Sequence, residues 1–189
     1  MKRFLRLITL SLFLCLSAGP SFYAQAQESD AVLKGLFTSL QEVDDRGDAA
    51  RIVAEIWARW STHPSEQALT AMLTRGVVMM GQGDYVHAEA LFTTIIEKDP
   101  TFAEAWNRRA TLYYMQGKVA ASRSDIAQTL ALEPRHFGAL AGLGLIELSQ
   151  GNYERALRAY EEALAVNPHL ARANEMIKSL TEKLRGIAL

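Results

Sequence analysis

Between residues 69 and 170 the apolar positions fall at helical spacing in short stretches, each too brief to form a core alone. Trp106, Ala110 and Tyr113 share one face of one stretch, and Ile126 and Leu130, followed by Leu132, carry the apolar spacing of the next. Steps of three and four place side chains on one stripe of an α-helix, so each pair of stretches predicts two amphipathic helices packed as a hairpin. Gly and Pro punctuate the pattern: Gly47, Gly83, Gly117 and Gly151 are each followed 17 residues later by Pro64, Pro100, Pro134 and Pro168. From Gly83 onward the beat repeats every 34 residues. A fixed period of that length means one supersecondary unit copied along the chain, each copy burying its apolar face on its neighbours. The expected fold class is an all-α solenoid of antiparallel helical hairpins.

Three regular units follow, 69–102, 103–136 and 137–170. Small residues recur at the eighth place (Gly76, Ala110, Gly144) and the twentieth (Ala88, Ser122, Ala156), and a large apolar residue at the twenty-fourth (Phe92, Ile126, Tyr160). Small residues belong where two helices approach most closely, so Gly144 and Ala156 are expected to face each other. Ser122 and Thr129, which stand where Ala would be usual, have hydroxyls able to bond a helix carbonyl.

The order Trp106, Ala110, Tyr113, Gly117, Ser122, Ile126 and Pro134, repeated as Leu143-Gly144, Gly151-Asn152-Tyr153, Ala156, Tyr160, Ala163 and Pro168, resembles the tetratricopeptide repeat family. The resemblance covers 69–170. It implies a protein or peptide partner held on the concave face, which in that family is lined by the first helix of each hairpin. The groove residues it points to are Leu73, Val77 and Met80, then Asn107, Arg108, Thr111, Tyr114 and Met115, then Leu145 and Leu148. Members that hold a C-terminal carboxylate use Lys and Asn at the places taken here by Leu73 and Val77, so that mode of binding is not expected. Apolar walls with Tyr, Met, Asn107 and Arg108 suit an amphipathic helix or an extended peptide. Arg75 and Arg109 occupy a seventh place often held by Leu. Two readings stand, an aliphatic stem packed with its head in water and an anion site.

Upstream, 27–68 reads as a degenerate hairpin, with helices over 29–44 and 48–60, in which Leu40 and Ile52 replace small residues and Gln67 and Ala68 are extra. Trp57 and Trp60 lie three apart on one helix face and are expected to seal the first regular repeat. Residues 171–189 form a cap and tail: Met176, Ile177, Leu180 and Leu184 line one side of a helix over 171–186, and Arg172, Glu175, Lys178, Glu182, Lys183 and Arg185 the other. Repeat arrays need such a polar outer face at their ends.

The N-terminus changes where this fold is expected to work. Lys2, Arg3 and Arg6 precede the apolar run 7–16, and Ala24-Gln25-Ala26 closes it, the pattern of a cleaved secretory signal over 1–26 rather than of a membrane span. A periplasmic or secreted protein of a Gram-negative bacterium is expected, with no integral span after cleavage. Cys15, the only cysteine, would leave with the signal, so neither a disulfide framework nor thiol chemistry is expected. Cleavage leaves 17 basic and 21 acidic side chains, a charge of −4 that argues against nucleic acid.

Catalytic chemistry finds no support. The four histidines, His63, His87, His136 and His169, lack a metal-ligand spacing, although His136 and His169 lie beside successive turns. Gly142 and Gly144 fall inside a helix rather than in a phosphate loop. No catalytic residue, metal or cofactor is expected. The function that follows is a non-enzymatic interaction module for an envelope protein. The alternatives are a self-associating structural module and a small ligand- or metal-binding protein.

Overall fold

The computed structural model describes residues 20–187. Nine helices and no strands are present among them: α1 (Pro20–Glu42), α2 (Arg46–Trp60), α3 (Gln67–Gly81), α4 (Tyr85–Lys98), α5 (Ala103–Met115), α6 (Val119–Leu132), α7 (Phe137–Ser149), α8 (Tyr153–Val166) and α9 (Ala171–Ile187). The expected leader, 1–26, lies mostly outside the described residues, and the backbone of α1 runs through its last turns. Helices α3/α4, α5/α6 and α7/α8 are the three hairpins of an all-α solenoid.

The Gly and Pro beats have separate physical causes. Gly83, Gly117 and Gly151 have φ of 81°, 73° and 74°, a left-handed conformation that favours glycine. At each, the glycine N–H donates to the carbonyl three residues back and the next N–H to the carbonyl five back, Gly83 to Met80 and Asp84 to Met79 at the first turn. This pattern closes the C-terminus of the leading helix. Before each Pro, a side chain accepts the N–H two residues on: Asp99 from Thr101 at 2.8 Å, Glu133 from Arg135 at 3.0 Å, Asn167 from His169 at 3.0 Å and His63 from Ser65 at 3.3 Å. Gly47 does not share the turn role. It lies in the first turn of α2, and the positive-φ glycines are the other three.

Within hairpins the side chain at the twenty-fourth place packs directly on the eighth. A Cβ added to Gly76 would come 2.5 Å from the Phe92 ring, and one added to Gly144 would come 2.9 Å from Tyr160. The large ring at place twenty-four lies over the glycine and needs the missing side chain, a contact that the expected Gly144–Ala156 apposition did not include. Ser122 Oγ donates across the hairpin to the Ala110 carbonyl at 2.7 Å, whereas Thr129 Oγ1 donates to Asp125 in its own helix at 3.0 Å. Arg109 resolves its two readings as a staple. Its guanidinium donates to both oxygens of Asp125, at 2.7 and 3.0 Å, and to Thr93 Oγ1 of the preceding hairpin at 3.0 Å.

The N-terminal pair α1/α2 is not stacked as another repeat. It lies as a strap across the edge formed by the inter-repeat turns. His63, just after α2, meets Asp99 at 2.7 Å, Trp60 stacks on His136 with centroids 4.1 Å apart, and Gln41 donates to the Ala165 and Val166 carbonyls at the end of α8. The expectation that Trp57 and Trp60 seal the first repeat is corrected, because both rings pack on His136 and Phe137 at the junction of the second and third. Leu40 and Ile56 are fully buried in this cluster. The bulk at Leu40 and Ile52, with the two extra residues at the start of α3, denies the hairpin the close helix contact of a regular repeat, and its aromatic face takes the turn edge instead. The helix α9 buries Ala173 and Leu180 on the last hairpin and leaves its charged side exposed, as expected of the cap.

Candidate peptide-binding groove

The concave side is lined by α3, α5 and α7, and the strap reaches its rim through Trp57. That contact divides the predicted groove residues into two groups. Nearest the strap, α5 carries a buried polar network centred on Glu104. Asn107 Nδ2 donates to Glu104 Oε2 at 2.9 Å, and Arg108 Nε lies 2.6 Å from Oε1, close but not aligned for a hydrogen bond. The Arg108 guanidinium also lies over the Trp57 ring, 5.4 Å from its centroid. His136 caps α7, its Nδ1 accepting the Ala139 N–H at 3.0 Å. That bond leaves Nε2 to carry the proton and donate to Glu104 Oε2, 3.0 Å away.

Asn107 and Arg108 are therefore engaged by an internal carboxylate, and Asn107 is buried. Their place in the pattern pointed to a partner, but Glu104 and His136, 32 residues apart in sequence, are brought together only by stacking and by the strap. The available signal was the pairing of one acid at the second place with a histidine at the end of the same unit.

Farther from the strap the surface is open and apolar. Met115 is 50 % exposed, Thr111 is exposed with Oγ1 donating to the Asn107 carbonyl at 3.0 Å, and Tyr114 and Leu145 are half-buried. Between α5 and α7 lies a cleft of about 70 Å³ bordered by Ala110, Thr111, Tyr114, Ile126, Gly142 and Leu145. It exists because Gly138 and Gly142 present no side chain there. Gly138 is itself required, since a Cβ would come 2.6 Å from Trp57. The remaining predicted residues are buried or half-buried. Leu73 is 2 % exposed in the first core cluster, so it offers nothing to a partner, Val77 and Met80 pack against that cluster, and Leu148 packs against the cluster under α9.

Charged and polar partners around the array hold several half-buried or buried carboxyls in their ionised form. Arg123, followed by Asn152 and Arg155, holds the Glu147 carboxyl below its ordinary range despite burial. Burial raises Glu133 and Asp99, but bonds from Arg135 to the first and from Thr101 and His63 to the second outweigh it, so both end below the usual carboxylate range. A second, wider cleft of about 760 Å³ separates the strap from the first two repeats, with Leu33, Trp60, Phe102 and Glu133 on its walls.

Turn glycines, stacked hairpins and a concave helix face are the marks of one family, and comparison decides it. A TPR repeat-containing protein of Rhizobium etli is 36 % identical over 154 residues, spanning 82 % of this chain and 75 % of its own. The chain belongs to the tetratricopeptide repeat family. Two family profiles described as tetratricopeptide repeat match residues 108–171 and 91–123. The Hsp70-Hsp90 organizing protein 1 of Glycine max is 24 % identical over 110 residues, 58 % of this chain but 19 % of that protein. Among solved structures, the first tetratricopeptide repeat domain of Spaghetti (RPAP3), bound to the HSP90 peptide SRMEEVD, superposes with a TM-score of 0.60 at 24 % identity, over 63 % of this chain and 94 % of that one. MamA superposes at 0.57 with 23 % identity over 75 % and 85 %. At these identities the structural likeness concerns the fold.

Proposed function

We propose that this tetratricopeptide repeat protein is a non-enzymatic adaptor of the bacterial envelope that holds an apolar helix or peptide segment on the open half of its concave face. The observation that carries this reading is the division of that face. Its polar side chains are consumed by Glu104, while Tyr114, Met115 and Leu145 border an unfilled cleft beyond them. A ligand anchored by a terminal carboxylate would have to compete with Glu104 for Arg108. An aliphatic side chain entering the cleft meets no such competition, and aromatic and Met walls adapt to it. The basic start, the apolar run and Ala24-Gln25-Ala26 support export to the periplasm, and no described helix is long and apolar enough to cross a membrane.

A photo-crosslinking residue in place of Met115 tests the site in living cells, with the same residue at Val86, 76 % exposed on α4, as control. An adduct with another protein is expected at position 115 and none at position 86. Adding Leu145→Glu should abolish the adduct with the melting temperature unchanged. Persistence of the adduct would move binding off the groove.

A further inference from the structure

The leading helices of all three hairpins, and α9 after them, share one register. Each has Ala at the third place and an aliphatic residue at the tenth: Ala71 and Val78, Ala105 and Leu112, Ala139 and Ile146, Ala173 and Leu180. In the last three helices this pair is the joint to the preceding hairpin. Leu112, Ile146 and Leu180 are 0, 1 and 2 % exposed, and the alanines are equally buried. In α3 the same pair faces solvent, with Val78 52 % exposed and Ala71 exposed beside it. Nothing stacks there because the strap, which precedes α3 in the chain, lies along the turn edge.

We propose that the front of α3 is a vacant stacking joint that receives an amphipathic helix of another protein, apolar toward Ala71 and Val78 and carrying a carboxylate toward Arg75. The charge argument rests on the seventh place. At the next joint Arg109 is held by Asp125 of its own hairpin and reaches across to Thr93 of the hairpin before. In the first repeat the place equivalent to Asp125 is Leu91, and among the described residues Arg75 has no carboxylate within 4 Å. Its guanidinium is left to an incoming acid.

Two other occupants fit less well. A second copy pairing front to front would set one Arg75 near the other across the twofold axis, and like charges in juxtaposition oppose association. A second copy stacking head to tail would have to offer the outer side of α9, where Arg172, Glu175 and Lys178 are exposed. The strap could occupy the front only by uncovering Leu40, Ile56 and Trp60.

The test places a photo-crosslinking residue at position 78 of the full chain in cells and maps each adduct by mass spectrometry. The expected adduct joins position 78 to a helical segment of a different protein that contains an acidic residue. Arg75→Glu should lower its yield about tenfold or more by setting like charges together, and replacing the mapped acid by Lys should restore it. The adduct at position 115 should be unaffected, which separates this joint from the groove. An adduct of two identical chains, an adduct to residues 30–60 of the same chain, insensitivity to the charge reversal, or no adduct would each overturn the proposal.

Discussion

Asp99 and Glu133 show how single side chains hold the strap to the array. Each precedes a proline of the repeat and caps its own turn, and each also meets the strap side of the molecule, Asp99 through His63 and Glu133 beside Trp60. Both carboxyls titrate below their unfolded values. A depressed carboxylate contributes stability that is fully present above the unfolded pKa, about 4 for Asp and Glu, and lost as pH falls through the folded pKa. Between pH 7 and about 5 the strap should therefore stay docked, and below about pH 4 it should loosen first. Trp57 and Trp60 report it directly once Trp106 is replaced by Phe. Their fluorescence should change at higher pH than the helical circular dichroism does, and coincidence of the two transitions would show that strap and array unfold as one. Residue spacing alone could not reveal these bonds: the acids before Pro100 and Pro134 are visible in the sequence, but their second partners come from an element docked out of register.

Elements were legible wherever the local pattern and the tertiary neighbours agree. The hairpins of 69–170 and the apolar side of α9 follow from period and punctuation, because every unit repeats the same contacts. The strap departs from this. Its two helices are readable from Leu33 to Trp60, yet its position is decided by aromatic packing on His136 and Phe137, residues of a different unit. The same limit explains the glycine contacts. Small residues at places eight and twenty were visible, but which large ring covers them depends on helix rotation. A sharp comparison follows. Gly76→Ala puts a Cβ 2.5 Å from the Phe92 ring, which is fully buried and cannot retreat, whereas Gly142→Ala meets the end of Ile126 at 3.3 Å. The first should cost about 1–3 kcal/mol by overpacking. The second gains helix propensity, up to about 1 kcal/mol, and should come out near neutral in urea denaturation. If Gly76→Ala proves the milder of the two, the eighth-to-twenty-fourth contact is misplaced.

At the scale of the whole molecule the array has two unlike ends, a front at α3 that is open and a rear that α9 closes. The groove residues named from the family pattern mix both kinds of position, since a repeat register says which way a place points but not whether a strap, a cap or an internal acid has already claimed it. Leu73, Asn107 and Arg108 were claimed, and Thr111, Tyr114, Met115 and Leu145 were not. The unlike ends give the final prediction. In a stack where each unit touches only its neighbours, truncations at equivalent places should differ widely in cost between the covered and the open end. Leu180→Ala removes a side chain buried under the last hairpin and should cost about 2–5 kcal/mol, while Val78→Ala, at the same place of the first repeat, should cost well under about 1 kcal/mol, as surface changes do. Truncation after Leu170 carries the argument further: it bares the rear of the last hairpin, including Tyr160 and Ala156, and should produce concentration-dependent association in light scattering. Equal losses for Leu180→Ala and Val78→Ala, measured on the isolated chain, would mean that the front is covered within the molecule, and a truncated chain that stays monomeric with unchanged melting would remove α9 from the stack.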